Sequence, residues 1–263
     1  MDQKQYLTDI LQQQNIVLSD RQTEQLLLFY DLLAAKNRVM NLTTITDFQE
    51  VCLKHFADSL SLYRLAEKGI LTGEELSDGA LKLIDVGCGA GFPGLVLAVA
   101  CPGMQVTLLD SLQKRVGFLS EVIEKLELVN CKALHGRAED LARQKEYRQT
   151  YDLAVSRAVA NLSTLSEYCL PFVREGGLFV AYKAARIKEE APAAAEAVRL
   201  LGGVYETEIE FYLSEKPDQK IAGQPAGDNY RNLYVIRKMK PTPSRYPRKA
   251  PLPAKSPLGN GVR

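Results

Sequence analysis

From residue 81 onward, five short apolar runs (81–86, 104–109, 131–135, 152–156 and 177–182) alternate with helical segments at 93–101, 112–127, 138–144 and 161–170, and a fifth follows around 187–201. Strand and helix in strict alternation is the pattern of βαβ units, which build a parallel sheet with helices on its faces. No other feature of the chain restricts its fold as far, so the expectation is an α/β protein. After the fifth helical segment come two β-rich runs, "VYETEIEFYL" and "YRNLYVIRK", joined by the polar, Gly- and Pro-containing loop "SEKPDQKIAGQPAGD". With no helix between them they read as an antiparallel hairpin closing the edge of the sheet.

Ahead of the sheet the periodicity is that of helices. Residues 20 to 36 repeat apolar positions at three and four (Leu26, Leu27, Phe29, Tyr30, Leu33) behind the helix caps Ser19 and Asp20. A second helix is expected over about 47 to 67, capped by Asp47 and stopped by Gly69. The expected organisation is a helical region at 1–75, an α/β domain at 76–240 and a tail at 241–263. Within the tail, six of the twelve prolines fall in seventeen residues, which argues against helix or central strand and for an extended, partly disordered arm.

Charge sharpens this division. The net charge is only +1, but from Arg231 to Arg263 there are nine Lys or Arg and no acid, which leaves 24 basic against 32 acidic residues before them. A mildly acidic body with a basic tail suggests a polyanionic partner. No apolar stretch reaches the length of a membrane span, and "MDQKQYLTDI" has no signal-peptide character, so a cytoplasmic location and no membrane contact are expected. The five cysteines form no CxxC pair and no cluster with His55 or His135, so no metal is expected. Cys88 reads as a small filler.

The stretch "LIDVGCGAGFPG" (83–94) closes the first apolar run on Asp85 and then places Gly87, Gly89 and Gly91 at alternate positions. Such glycines permit positive φ and remove Cβ atoms, so a ligand can press against the backbone, and Pro93 suits the first turn of the next helix. Gly89, Gly91 and Gly94 also satisfy G-x-G-x-x-G, with Asp110 twenty-one residues past Gly89, which is the spacing of a dinucleotide site. Asp85, before the first glycine, favours a cationic ligand over a pyrophosphate. S-adenosylmethionine, with its sulfonium and amino groups, meets that condition. Asp110 at the end of the second run can hold a ribose diol of either cofactor.

"IDVGCGAG" resembles the first motif of class I S-adenosylmethionine-dependent methyltransferases, and "VTLLDS" resembles their second. That resemblance implies a Rossmann-like, seven-stranded, mostly parallel sheet with an antiparallel last strand. At the end of the fourth run stands "VSRAVAN" rather than the Asn/Asp-Pro-Pro-aromatic sequence common among exocyclic-amine methyltransferases, and Cys169 lies too far along the next helix to be a nucleophile. Further motifs are similar to those of the bacterial small-subunit ribosomal RNA guanine-N7 methyltransferase family over nearly the whole chain: "NRVMNLT", "HFADSL", "DVGCGAGFPG", "LLDSLQKRVGFL", "GRAEDL", "SRAVANL" and "VAYK". The tail "YPRKAPLPAKSPL" resembles that family's ending, with Pro251 in place of an expected glycine.

The family resemblance implies methyl transfer from S-adenosylmethionine to N7 of a guanine in 16S rRNA of the small ribosomal subunit; no long heptad pattern calls for a coiled-coil dimer, so a monomer is expected. Gly87 and Phe92 would contact the cofactor, together with Asp85, Gly89 and Gly91 of the same loop. Asp110, Ser111 and Leu112 would surround its ribose and adenine, Ala138 and Glu139 would border the adenine, and Arg157 would close the methionine end. N7 carries a free lone pair, so no general base is needed, and catalysis reduces to bringing N7 about 3 to 3.5 Å from the methyl and excluding water. Arg157 and Lys183 are the residues expected beside the reacting groups, Lys183 with the alternative of neutralising Asp152. His55 and Asp58 are expected to pack the amino-terminal helices against the loop. Lys114, Arg115, Arg186, Arg245, Tyr246, Arg248 and Lys249 are expected to bind RNA through charge and stacking. Two other classes share parts of these signals, a small-molecule methyltransferase and a nicotinamide-dependent oxidoreductase.

Overall fold

The computed structural model describes residues 2–77, 79–157, 160–184, 187–213 and 229–259. Seven strands form a single sheet: β1 (Lys82–Val86), β2 (Gln105–Asp110), β3 (Cys131–His135), β4 (Tyr151–Arg157), β5 (Val173–Lys183), β6 (Gly203–Tyr212) and β7 (Tyr230–Lys238). Their order is β3-β2-β1-β4-β5-β7-β6. The first five run parallel, and β7 is antiparallel to both β5 and β6. The sequence therefore anticipates the five parallel strands and the hairpin, while the insertion of β7 between β5 and β6 is visible only in the register. The expected hairpin loop, 214–228, lies outside the described residues.

The chain opens on α1 (Gln3–Gln13) and α2 (Asp20–Met40). A helical stretch at 48–67, α3, follows. Ser19 and Gln22 cap α2 reciprocally, the Ser19 side chain accepting from the Gln22 N–H. Asp47 caps α3 by accepting from the Glu50 N–H at 3.0 Å. Inside α3 the hydrogen-bond spacing widens to a π turn over Cys52–Ala57 and narrows to a 3-10 turn over Ser61–Tyr63. Such irregular turns concentrate at functional sites because they re-aim side chains. A short helix α4 (Gly73–Ser77) leads into β1. The remaining helices are α5 (Gly94–Ala100), α6 (Gln113–Lys125), α7 (Ala138–Leu141), α8 (Leu162–Cys169), α9 (Ile187–Leu200) and α10 (Leu252–Lys255).

The sheet divides the core. On one face Leu7, Leu26, Phe29, Phe56 and Leu60 of the first three helices join Leu95 of α5 and the strand residues Leu83 and Leu108 in one apolar cluster. On the other, Leu165 of α8 and Ala197 of α9 pack on Ile84, Ala154 and Phe179, together with Tyr246 and Leu258 of the tail. Alternate residues of one strand thus serve opposite faces, as period-two geometry requires.

The tail corrects an expectation. Residues 241–259 are not a loose arm but lie docked on the sheet's second face. Tyr246 is buried, and Arg148 donates to the carbonyls of Thr242 and Tyr246 at 2.7 and 2.9 Å. Arg248 makes a two-pronged ion pair with Glu167, whose side chain is fully buried, with N···O distances of 2.9 and 2.7 Å. The expectation of no helix here fails too, since α10 forms a single turn with Pro near its start, where the missing N–H costs nothing. The prolines fix the path of the tail, and the guanidinium groups of Arg143 and Arg148 satisfy carbonyls that the prolines leave without a ladder.

Candidate active site

The carboxyl ends of β1, β2, β4 and β5 meet at one edge of the sheet, where chain crossovers leave a crevice. The loop after β1 turns there with φ of 76° at Gly87, 59° at Gly89 and 106° at Gly91. Gly87, Gly89, Ala90 and Phe92 line a hollow of about 500 Å³, with Asp110, Ser111, Leu112 and Arg115 from the β2 end and Leu42, Thr43 and His55 from the helical region. Next to Gly89 there is open space, as a ligand pressed against that backbone needs.

Asp110 is the carboxylate of this hollow. It is almost fully buried, with Oδ2 accepting from the Gly89 N–H at 3.0 Å and Oδ1 from the Leu112 N–H at 2.9 Å. A carboxylate offers about four acceptor positions, so two hydroxyls of a ribose can be held as well. Arg115 stands 3.5 Å from Oδ2. Expected on an RNA surface, Arg115 is part of the hollow's wall, whereas Lys114 beside it is exposed. Leu112, 51% exposed at the rim, offers an apolar face to a flat ring.

Asp85 and Gly91 are corrected. Asp85 is fully buried and accepts from the Gly94 N–H at 2.7 Å, so it ties the start of α5 to β1 instead of facing a ligand. Burial pushes its carboxyl up to about 7 despite that hydrogen bond and the nearby Arg157. The electrostatic argument for a cationic ligand built on Asp85 therefore falls. A Cβ on Gly91 would meet Leu119 and Leu95 at 3.0 and 3.1 Å, so this glycine serves packing behind the loop. Gly94 has the same role more severely: a Cβ there would lie 2.5 Å from Leu108 and 2.7 Å from Asp85. Cys88 is buried, with its thiol pushed well above the usual range by burial.

A second hollow of about 560 Å³ adjoins the first and shares His55 and Arg157 with it. Its walls are Ile45, Tyr182 and Ala184, the cations Lys54, Lys183 and Arg231, and the carboxylates Asp58 and Glu190. Arg157, at the end of β4, donates from Nη1 to Asp58 Oδ2 at 2.8 Å and to the Lys54 carbonyl at 3.1 Å, and its guanidinium lies 5.1 Å over the Phe92 ring. His55 stacks on Phe92 with ring centroids 4.2 Å apart, while Nε2 pairs with Thr43 Oγ1 at 2.9 Å and Nδ1 lies 3.2 Å from Arg157 Nη2. Burial, reinforced by the Arg157 charge, lowers the imidazole to about 3, so it is neutral, and the Lys54 carbonyl stands 3.1 Å from the same Nδ1. His55 and Asp58, expected as packing groups, are thus what aims Arg157, and the π turn of α3 carries His55.

Lys183 sits where expected, at the β5 end, but its partner is not Asp152. Its Nζ donates to Glu190 at 2.6 Å and to the Ala160 carbonyl at 2.8 Å. Asp152 lies at the opposite end of the sheet, bonded to the Lys82 N–H and to Arg174. Ala138 and Glu139 start α7 one strand further along the same edge; both are buried and neither lines the hollow. Of the expected RNA contacts, Arg186 lies outside the described residues. Arg245 and Lys249 are exposed on the tail, Arg245 lying 5.0 Å over the Tyr246 ring. Tyr246 and Arg248 are withdrawn as RNA contacts, since one is buried and the other neutralises Glu167.

Sequence reasoning missed Arg231 and gave no role to Thr43 or Tyr182. Because β7 is antiparallel, with Asn232 opposite Lys183, its first residues arrive at the edge where β4 and β5 end. Arg231 Nε lies 3.3 Å from Asp58 Oδ1. The hairpin pattern held the signal, since the second strand of an edge hairpin must start where the parallel strands finish.

Residues 22–218 match the family model described as "rRNA small subunit methyltransferase G". Proteins called "Ribosomal RNA small subunit methyltransferase G" are similar along nearly the full chain. The one from Alkaliphilus oremlandii is 44% identical, covering 98% of this chain and all of its own. That from Lachnoclostridium phytofermentans is 45% identical, covering 92% and 91%. That from Lactococcus lactis subsp. cremoris is 44% identical, covering 93% and 94%. Among solved structures, a putative sarcosine dimethylglycine methyltransferase from Galdieria sulphuraria shares the fold with a TM-score of 0.50 at 13% identity, over 73% of this chain and 88% of that one. Among the described residues no helix is long and apolar enough to cross a membrane, and no group of three or more His, Cys, Asp or Glu could hold a metal ion.

Proposed function

Given that the chain belongs to the rRNA small subunit methyltransferase G family, we propose that it methylates N7 of a guanine in 16S rRNA of the small ribosomal subunit, with S-adenosylmethionine as donor. The observation that carries the reading is the pairing of two adjoining hollows across Arg157 and His55 at the carboxyl edge of the sheet, one with a ribose-holding carboxylate and one rich in cations.

The first hollow has the donor set that S-adenosylmethionine requires. Asp110 holds the ribose hydroxyls, Leu112 and Ser111 flank the adenine, and Gly87 and Gly89 let the methionyl portion lie against the backbone. Phe92, on which His55 stacks with the Arg157 guanidinium close by, lines the hollow toward the sulfur end. When bound, the donor supplies an electrophilic methyl whose transfer returns an electron pair to sulfur and moves the positive charge to the guanine ring, with no proton removed. The protein's share is orientation and exclusion of water. Arg157 is fixed by Asp58 and Lys54, and His55 stays uncharged, so the imidazole adds no positive charge beside the sulfonium. Lys114, Arg245 and Lys249 are exposed cations suited to RNA phosphates beyond the hollows.

The test is transfer of labelled methyl groups to small-subunit rRNA taken from cells lacking this enzyme, followed by mapping of the modified nucleotide. A single labelled guanine is expected, at which borohydride reduction followed by aniline cleaves the RNA chain. Label on an exocyclic amine or a ribose hydroxyl would overturn the assignment.

A further inference from the structure

We propose that the docked tail and the turn into α7 form one preformed cationic track, running from the rim of the first hollow along the second face of the sheet, on which phosphates of the substrate rRNA lie. The inference rests on the functional reading above and deepens it by naming the surface that carries the RNA outside the two hollows.

The track starts at the first hollow. Asp110 is paired with His135 across β2 and β3, the Gly136 N–H donates to the Asp110 carbonyl at 3.1 Å, and His135 Nε2 lies 3.2 Å from the carbonyl of Ser111, which lines that hollow. Arg137 follows at the N-cap position of α7. Tyr168 of α8 is its neighbour: the Tyr168 hydroxyl donates to Glu139 and lies close enough to Arg137 to feel its charge. The residue before it, Glu167, holds Arg248 of the tail. Arg143, two residues past α7, donates to the carbonyls of Arg245 and Pro247. Segments about a hundred residues apart in sequence thus bring Arg137, Arg143, Arg245 and Lys249 to one strip.

All four side chains are exposed, and among the described residues none of them is in an ion pair. The acids beside them are already engaged, Glu167 fully buried against Arg248 and Glu139 buried against Tyr168. Asp140 is the one exposed carboxylate in residues 135–143 and 241–259, so positive charge dominates the strip. The tail's prolines and the Arg248–Glu167 pair fix that charge in place, so cations that a loose arm would have to order on binding are set before RNA arrives. A row of phosphates along an RNA chain answers such a strip. Contacts of this kind position the RNA without reading its sequence, so their loss falls on binding and not on methyl transfer.

The test uses the full chain and small ribosomal subunits from cells lacking the modification, with Arg137→Gln, Arg245→Gln and Lys249→Gln combined. KM for the subunits is expected to rise about 10-fold at moderate salt with kcat nearly unchanged. The slope of log KM against log salt is expected to fall by about 2, at roughly 0.7 for each phosphate contact removed. The Kd for S-adenosylhomocysteine should stay within about twofold of wild type, since none of the three residues lines the first hollow. Arg248→Ala, which frees the tail while keeping Arg245 and Lys249, should also raise KM several-fold. A wild-type KM with the tail released would show that the cations act as a loose arm, and the preformed track would be overturned. Unchanged KM and salt slope in the triple variant would overturn the inference outright. So would a triple variant that loses binding to phosphatidylserine vesicles but not to subunits, which would assign the strip to a lipid surface. Wild-type enzyme that fails to modify N7 would instead remove the functional reading on which the inference stands.

Discussion

Two aspartates end neighbouring strands of this sheet, and the protein uses them for opposite ends. Asp110 keeps acceptor capacity toward the hollow, whereas Asp85 is sealed behind the loop and held by the Gly94 N–H. The difference follows from space: Gly94 lets α5 approach β1 so closely that the Asp85 carboxyl lies within reach of its backbone. His55 is the other residue whose surroundings decide its state. Its ordinary pKa of 6.5 is lowered to about 3 by burial and the Arg157 charge, so the unfolded chain takes up a proton below pH 6.5 that the folded chain refuses. The stability due to neutral His55 is full above pH 6.5 and is lost as pH falls toward 3. Urea denaturation between pH 6.5 and 4 should show wild type losing stability more steeply than His55→Gln, by up to about 1.4 kcal/mol per pH unit. Parallel slopes would mean that His55 titrates normally in the folded protein. From the sequence, Asp110 was legible through its position at a strand end, but the neutral state of His55 was not. It depends on Phe92, Arg157 and Thr43, which come from three separate parts of the chain.

At the scale of elements, strands and long helices were legible because period and length carry them, and each of the five parallel strands lies within a few residues of its apolar run. The tail was not legible. Composition registers its prolines and cations, but the partners that hold it, Arg148 and Glu167, lie about a hundred and about eighty residues away in sequence. Removing one of the paired charges leaves the other buried and unpaired, at a cost of about 3 to 5 kcal/mol. Arg248→Ala is therefore expected to lower the unfolding free energy by roughly that amount and to expose the Lys249 region to trypsin under native conditions. An unchanged denaturation midpoint with an uncut tail would show that docking does not depend on the ion pair. The π turn in α3 was equally hidden, since a single widened turn leaves no trace in helical periodicity, although it brings His55 to the wall between the two hollows.

At the scale of the molecule, the antiparallel β7 is what completes the site. A purely parallel sheet would bring only strand ends and following loops to the carboxyl edge; reversing one strand adds the beginning of β7, and with it Arg231. The helical region contributes from the other side through Thr43, His55 and Asp58, so the two hollows together are walled by segments drawn from Leu42 to Arg231. The glycine loop and the strand-end acid were therefore readable as walls of the first hollow from local sequence, while the second hollow, assembled across long separations, was not. The central claim is that the first hollow binds S-adenosylmethionine through Asp110. The direct measurement is calorimetric titration of S-adenosylhomocysteine and, separately, NAD into wild type and Asp110→Ala. One site for S-adenosylhomocysteine, weakened about 10-fold to 100-fold by the substitution and with no binding of NAD, is the predicted result. Binding of NAD without S-adenosylhomocysteine, or S-adenosylhomocysteine affinity indifferent to Asp110, would contradict the account.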